Sequence, residues 1–262
     1  MKKILITVFV LISALSSLRS QYSTLNAHSH NDYENKTPFW LAYNNHFGSM
    51  EADIWAVKGE LFVAHYEKEI LPGRTLDSLY IQPIVRIFRQ NKGKVWKDNA
   101  STFQLLIDLK TTVAQTLPLL VEKLEQYPDV FNPRKNKNAI RIVITGNRPE
   151  PSEFKNYPKF VLFDGNLEKE YDKKQLKRIA LYSENFRNFS TWNGSGDIIE
   201  EERIRLQNAI ESAHSLKKKI RFWNSPDNPE AWNTFMDMGI DFINTDHIVE
   251  LADYLNKTDF RE

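Results

Sequence analysis

The chain has 262 residues, with 35 Lys and Arg against 34 Asp and Glu, a formal charge of +1 and no cysteine. That length suits one large domain or two small ones and is ample for a hydrophobic core. The even charge balance argues against a nucleic-acid binder, and the missing cysteines exclude disulfides, thiolate metal sites and a cysteine nucleophile.

In chain order, Lys2 and Lys3 precede an apolar run over residues 4–15 and then the small polar residues Ser16, Ser17 and Ser20. This pattern predicts a signal peptide over residues 1–20, leaving 21–262 as a single exported domain. The apolar run is too short to span a bilayer comfortably. Beyond it, β-rich runs alternate with helical patterns. Strands are expected at 25–28, 49–57, 103–109, 140–146, 160–164, 179–183, 220–223 and 241–244. Helices are expected at 38–46, 76–90, 113–126, 151–157, 169–177, 200–217, 229–238 and 248–255. A short extra strand at 61–65 turns back from the second at Lys58-Gly59. Runs such as Gln104-Leu105-Leu106-Ile107-Asp108 suit strands buried on both faces, as in parallel sheets. Eight such units predict an α/β fold, a (β/α)8 TIM barrel. The alternative is a doubly wound open sheet, but no Gly-x-Gly-x-x-Gly turn follows the first strand.

A barrel places its chemistry at the carboxyl ends of its strands. There the chain offers His28, then Glu51 and Asp53, then Asp108 and Lys110, with Asp164, Glu184, Trp223, Asn224 and Asp246 further on. Glu51 and Asp53 lie two apart on one strand, so both carboxylates face the same space. Their repulsion is costly unless a cation sits between them, and Asp108 adds a third acid inside an apolar run. Three hard oxygen ligands suit one divalent cation, Mg²⁺ or Ca²⁺; separate salt bridges to Lys or Arg are the alternative. His28 and His65 each close a short apolar strand and can serve as general acid and base. Lys110 points to the side of Asp108 and can meet an anionic substrate oxygen.

The ordered motifs Ala27-His28, Glu51-Ala52-Asp53, Val63-Ala64-His65 and Asp108-Leu109-Lys110 resemble one phosphodiesterase superfamily. It holds the glycerophosphodiester phosphodiesterases, sphingomyelinase D-type enzymes and phosphatidylinositol-specific (PI-PLC-like) phospholipases C. The stretch His28-Ser29-His30-Asn31-Asp32-Tyr33 resembles most closely the branch that includes altered-inheritance-of-mitochondria-protein-6-like proteins. The resemblance implies that Glu51, Asp53 and Asp108 hold the metal, that His28 and His65 are base and acid, and that Lys110 contacts the phosphate. Ser29-His30 replaces the Arg-Gly of glycerophosphodiesterases, so His30 competes with His28 for the catalytic role. Asn31 and Trp223 are candidate substrate ligands beside His30. The implied substrate is a small-molecule or lipid phosphodiester, with no nucleic acid and at most peripheral membrane contact.

Two rival readings share the scaffold. An amidohydrolase-type barrel would use His28 and His30 on strand 1 with Asp246 on strand 8, and would need further histidines on later strands. An inactive lipid- or sugar-binding barrel would use Trp40, Trp55, Trp192, Trp223 and Trp232. The segment 189–196, rich in Gly and Ser, reads as a flexible loop over the mouth.

Overall fold

The structure, a computed structural model, describes residues 22–97 and 102–258. The leader expected at residues 1–20 lies outside them. Nine strands form one sheet: β1 (Ala27–Ser29), β2 (Ser49–Val57), β3 (Glu60–Val63), β4 (Gln104–Leu109), β5 (Arg141–Gly146), β6 (Val161–Gly165), β7 (Ile179–Asn185), β8 (Lys219–Trp223) and β9 (Ile243–Thr245). Eight of them run parallel in the order β8-β7-β6-β5-β4-β2-β1-β9, and β3 pairs antiparallel on the outer length of β2. A bridge between Arg221 and Phe242, with the Asp241 and Phe242 amides donating to the Ile220 carbonyl, brings β8 to β9. The result is a nearly closed (β/α)8 barrel, as the strand count predicts.

Alternation along the strands divides the core in two. Outward residues such as Met50, Ala52, Leu105, Ile107, Ile142 and Ile144 join the large cluster packed beneath the helices. Inside the barrel, Leu106, Val143, Leu181 and Phe242 form a small apolar plug. The β1, β2, β8 and β9 side of the interior is polar instead, built from His28, Ser49, Glu51, Arg221 and Asn244, all buried.

The helices are α1 (Trp40–Asn44), α2 (Gln82–Gln90), α3 (Val113–Glu125), α4 (Pro128–Phe131), α5 (Lys173–Leu176), α6 (Glu200–Ser215), α7 (Pro229–Met238) and α8 (Ile248–Thr258). The best local signals give the sharpest agreement. Asn228 caps α7 by accepting from the Ala231 amide, Pro229 opens it, and Gly239 ends it at φ 81, a left-handed conformation that glycine adopts freely. Elsewhere the expectation overshoots. The helix expected at 169–177 shrinks to one turn, because Asp172 caps its start by accepting from the Lys174 and Gln175 amides. Of the stretch 151–157, Pro151–Asn156 is 3₁₀, and 76–90 begins with a π turn over Asp77–Ile81.

The segment 189–196 does not cover the mouth. Ser190 and Thr191 donate to the Glu202 carboxylate on α6, and the Gly196 amide donates to Glu230 on α7. Trp192 is buried, its indole donating to the Ser195 and Gly196 carbonyls. Those anchors fold the segment back against the helices. Trp232 is likewise core, as its helical position suggests. Among the described residues no helix is long and apolar enough to cross a membrane.

Candidate active site

The carboxyl ends of the strands open into a cavity of about 730 Å³. Register sets its first wall. Asp53 on β2 is paired with Asp108 on β4, and Glu51 lies two residues below Asp53 on the same face. One carboxylate oxygen from each of Glu51, Asp53 and Asp108 falls within 4.8 Å of the other two. Donors around a Mg²⁺ or Ca²⁺ ion stand about 3–5 Å from one another, so this spacing fits.

One oxygen of each carboxylate is already engaged. Lys110 Nζ donates to Asp53 Oδ2 at 2.8 Å and to Asp108 Oδ2 at 3.0 Å. The Tyr33 hydroxyl donates to Asp53 Oδ2 at 2.9 Å. Arg221 Nη1 donates to Glu51 Oε2 at 2.7 Å. Asp53 Oδ1, by contrast, is buried with no partner. Burial, then the charges of Glu51 and Asp108, push Asp53 up to about 7 in spite of Lys110. Burial also raises Asp108. Burial works on Glu51 in the same direction, but Arg221 and His28 outweigh it and hold that carboxyl well below the usual range. A buried, repelling set of acids with one orphaned oxygen is what a divalent cation relieves. The cluster is able to hold such an ion.

Gly146, at the end of β5, makes room for it. Its φ is 67, and a Cβ there would lie 1.9 Å from Asp108 Oδ1. Only glycine lets the β5 turn pass this close to the carboxylate.

The two candidate histidines of strand 1 part company. His28 is fully buried inside the barrel, with Nδ1 2.7 Å from Ser49 Oγ and Nε2 between Glu51 Oε2, at 3.0 Å, and Arg221 Nη1. Burial and the Arg221 charge lower it to about 3, so it is neutral. It does not line the cavity, whereas His30 does, together with Asn31 and His65. His30 Nδ1 is 2.9 Å from Asp246 Oδ1, and its backbone amide donates to Thr245. Burial alone would lower His30, but the Asp246 bond and the Glu51 charge raise it. The turn that carries it is fixed by buried Asp32, which accepts from Ser29 Oγ, the Phe39 amide and the Tyr80 hydroxyl. Asn31 sits in that turn at φ 44, 3.1 Å from the Tyr33 hydroxyl. His65 follows β3, and the Trp55 indole donates to the Ala64 carbonyl beside it.

The other wall comes from β6, β7 and β8. It carries Asp164, Asn166, Ser183, Glu184, Asn185 and Trp223, with Arg148 reaching over from the loop after β5. Trp223 is 39% exposed. Burial pushes Asp164 up to about 7 against the pull of Arg148 and Arg221.

Tyr33, Arg148 and Arg221 lie outside the set expected from sequence. Arg221 carried a usable signal, since a charge inside the apolar run Ile220-Arg221-Phe222 is the pattern that exposes Asp108. Tyr33 sits in a short 3₁₀ turn over Asp32–Glu34 and Arg148 in a loop, where no periodicity marks them.

A family model described as AIM6-like phosphodiesterase domain matches residues 16–163, and one described as Glycerophosphoryl diester phosphodiesterase family matches 219–248. Altered inheritance of mitochondria protein 6 of Eremothecium gossypii is 26% identical over 90% of this chain and 71% of its own length. Its counterpart in Saccharomyces cerevisiae strain S288c is 25% identical over 90% and 72%. The crystal structure of a glycerophosphodiester phosphodiesterase from Parabacteroides distasonis superposes with a TM-score of 0.52 at 14% identity, covering 88% of this chain and 97% of that one. A phosphodiesterase of Oleispira antarctica, solved with the product sn-glycerol-3-phosphate, gives 0.53 at 9% identity over 88% and 96%. Those two likenesses bear on the fold. The first family match spans the strands that supply Glu51, Asp53, His65 and Asp108, and by it the chain belongs to the AIM6-like phosphodiesterase domain family, a phosphodiesterase-type hydrolytic enzyme.

Proposed function

We propose that the barrel mouth cleaves a small or lipid-derived phosphodiester with one divalent cation, Mg²⁺ or Ca²⁺, held by Glu51, Asp53 and Asp108. The observation that carries this reading is the convergence of the three carboxylates, one with a buried oxygen lacking any partner, in the cavity that also holds His30, His65 and Lys110. When bound, the cation acts as a Lewis acid toward a phosphoryl oxygen. The ammonium of Lys110, held at the rim between Asp53 and Asp108, neutralises charge on a neighbouring phosphoryl oxygen.

His30 takes the proton of the attacking hydroxyl, and Asp246 stabilises the imidazolium formed. His65 gives a proton to the leaving alcohol. His28, expected in this role from the sequence, instead orients Glu51 from beneath. Asn31 and Trp223 contact the substrate from the rim. The product seen with the Oleispira enzyme supports a small phosphodiester. The amidohydrolase alternative is less well supported, since among the described residues only His30 and His65 bring imidazoles to the cavity wall.

The single-domain arrangement of 21–262, and export through residues 1–20, are part of the same proposal. They rest on the leader-like N-terminal pattern.

The test is turnover of glycerophosphodiesters, lysophospholipids and sphingomyelin with Mg²⁺, Ca²⁺ or chelator. Activity should need the cation and fall about 10³-fold in Asp53→Asn. Chelator-insensitive turnover, or full activity in that variant, rejects the proposal.

A further inference from the structure

Strands β5, β6, β7 and β8 are consecutive neighbours in the sheet. The loops that lead into them therefore share one face, at the amino ends of the strands. That face is basic. Residues 132–141, entering β5, carry Arg134, Lys135, Lys137 and Arg141. Residues 155–160, entering β6, carry Lys155 and Lys159. Residues 173–178, entering β7, carry Lys173, Lys174, Lys177 and Arg178. Residues 216–219, at the entry to β8, carry Lys217, Lys218 and Lys219. No Asp or Glu falls in any of these stretches. The near-neutral total of the chain thus hides a division, with acids crowded at the mouth and cations at the opposite end.

We propose that this amino-terminal face of the barrel docks on an anionic lipid surface.

Three observations point to that partner. First, the charges are not neutralised within the protein. Lys218 Nζ donates to the Ile179 carbonyl, and Lys219 Nζ stands 4.6 Å from the centre of the Phe242 ring. Arg178 donates to the carbonyls of Phe154, Tyr157, Pro158 and Val161. Neutral acceptors leave each of these charges to act on an outside partner. Burial lowers Arg141, with no carboxylate to offset it, and burial followed by the Arg141 charge lowers Lys218. Of the acids that flank these stretches, Asp129 pairs with Arg89, Asp241 with His214, and Asp172 caps α5.

Second, most of the cations are lysines spread over several loops. A lysine is a compact point charge on a flexible stem, which suits a fluid plane of anions better than one fixed ligand geometry. The lysines entering β6 and β7 also border a groove of about 780 Å³, with room for headgroups among them. Third, no exposed aromatic side chain lies in these stretches to stack on the bases of a nucleic acid. The exposed Leu216 stands beside Lys217 instead, an aliphatic tip suited to the headgroup boundary.

The mouth lies at the other end. The six residues of β5 separate the two faces by roughly 20 Å, so a docked molecule turns its mouth toward solution.

The experiment sediments the protein as exported with phosphatidylcholine vesicles, plain or containing about 30% phosphatidylglycerol, at low and high salt. Binding should be at least tenfold tighter to the anionic vesicles, and the gain should vanish at high salt. Each charge removed should weaken it by roughly fivefold. One variant combines Arg134→Gln, Lys135→Gln and Lys137→Gln, and another combines Lys217→Gln, Lys218→Gln and Lys219→Gln. Each should lose most of the gain. The first alters only exposed side chains, so a folding defect in the second leaves the test intact. A third variant, with Lys36→Gln, Lys58→Gln and Lys68→Gln, removes the same charge at the mouth end and should change binding less than threefold. Turnover of a soluble glycerophosphodiester should stay within twofold on bound vesicles. Equal binding to both vesicles, an equal loss in the mouth-end variant, or turnover blocked by docking overturns the proposal. So does retention by a soluble polyanion such as heparin without vesicle binding. If no diester is turned over, the catalytic reading falls, and the vesicle series still decides this one.

Discussion

The two halves of the barrel mouth are built from the same elements and differ in how their charges are balanced. On β1–β4 three carboxylates crowd one space, and Lys110 and Arg221 fall one charge short of neutralising them. On β6–β8 the buried acids Asp164 and Glu184 are spread over neighbouring strands and held by a hydroxyl and an amide. Concentrated charge calls for a cation and supports chemistry on phosphorus. Dispersed hydrogen-bonding groups support recognition. Arg221 joins the two, with Nη1 on Glu51 and Nε on Ser183.

The largest effect expected within the first half separates the two histidines of strand 1. His30→Ala should lower turnover by about 10³-fold, with little change in melting temperature. His28→Ala should instead cost about 2 kcal/mol of stability, because Ser49, Glu51 and Arg221 lose a buried partner. Thermal melts beside steady-state rates check both. If His28→Ala melts like wild type while His30→Ala remains active, the assignment is reversed.

Next in size is the space beside Asp108. In Gly146→Ala a Cβ would meet Asp108 Oδ1 at 1.9 Å, on a backbone at φ 67. The carboxylate must move, and cation affinity should fall about 10–100-fold. Titration with Mg²⁺ or Ca²⁺ followed by calorimetry reads this directly. An unchanged affinity would mean that Asp108 does not ligate.

A smaller effect probes the second half. Asp164 is raised to about 7, so the folded chain keeps a proton there that the unfolded chain releases near its ordinary value. The stability from this group is present at low pH and is lost as pH rises through the folded value. Asparagine has no such titration. Asp164→Asn should therefore gain on wild type between pH 5 and pH 8, by on the order of 2 kcal/mol in denaturant melts. A constant difference across that range would show that the carboxyl is not strained by burial.

The sequence was legible where a short period carries the chemistry. Glu51-Ala52-Asp53 fixes two carboxylates on one face in any strand, and Asp108 stands out against Leu106, Ile107 and Leu109. The strand at Ser49–Val57 and the helix at Pro229–Met238 were readable to the residue, because turn and capping signals bound them. Which histidine of His28-Ser29-His30 faces the cavity was not readable. Two residues apart, both project to the same side of a strand, and only the depth at which β1 ends places one inside the barrel and the other at its mouth. The residues of the second wall were readable as strand ends, but not their grouping. Asp164 and Glu184 end their strands as polar residues commonly do, and it is the closing of the barrel that sets them beside Arg148 and Trp223.

The smallest effect decides which imidazole is the base. His30 is raised by Asp246, whose side chain is 62% exposed, so solvent keeps their coupling weak. A base works only when unprotonated, so the rate climbs as pH rises through the value of His30 in the free enzyme. Asp246→Asn leaves an acceptor for the ring but removes the charge. It should lower that value and shift the acid limb of kcat/KM to lower pH by less than about one unit. Turnover near neutrality should change less than about tenfold, since the ring keeps its orientation. An acid limb that stays in place would hand the role of base to His65, which has no such carboxylate bond, and His30 would then protonate the leaving alcohol.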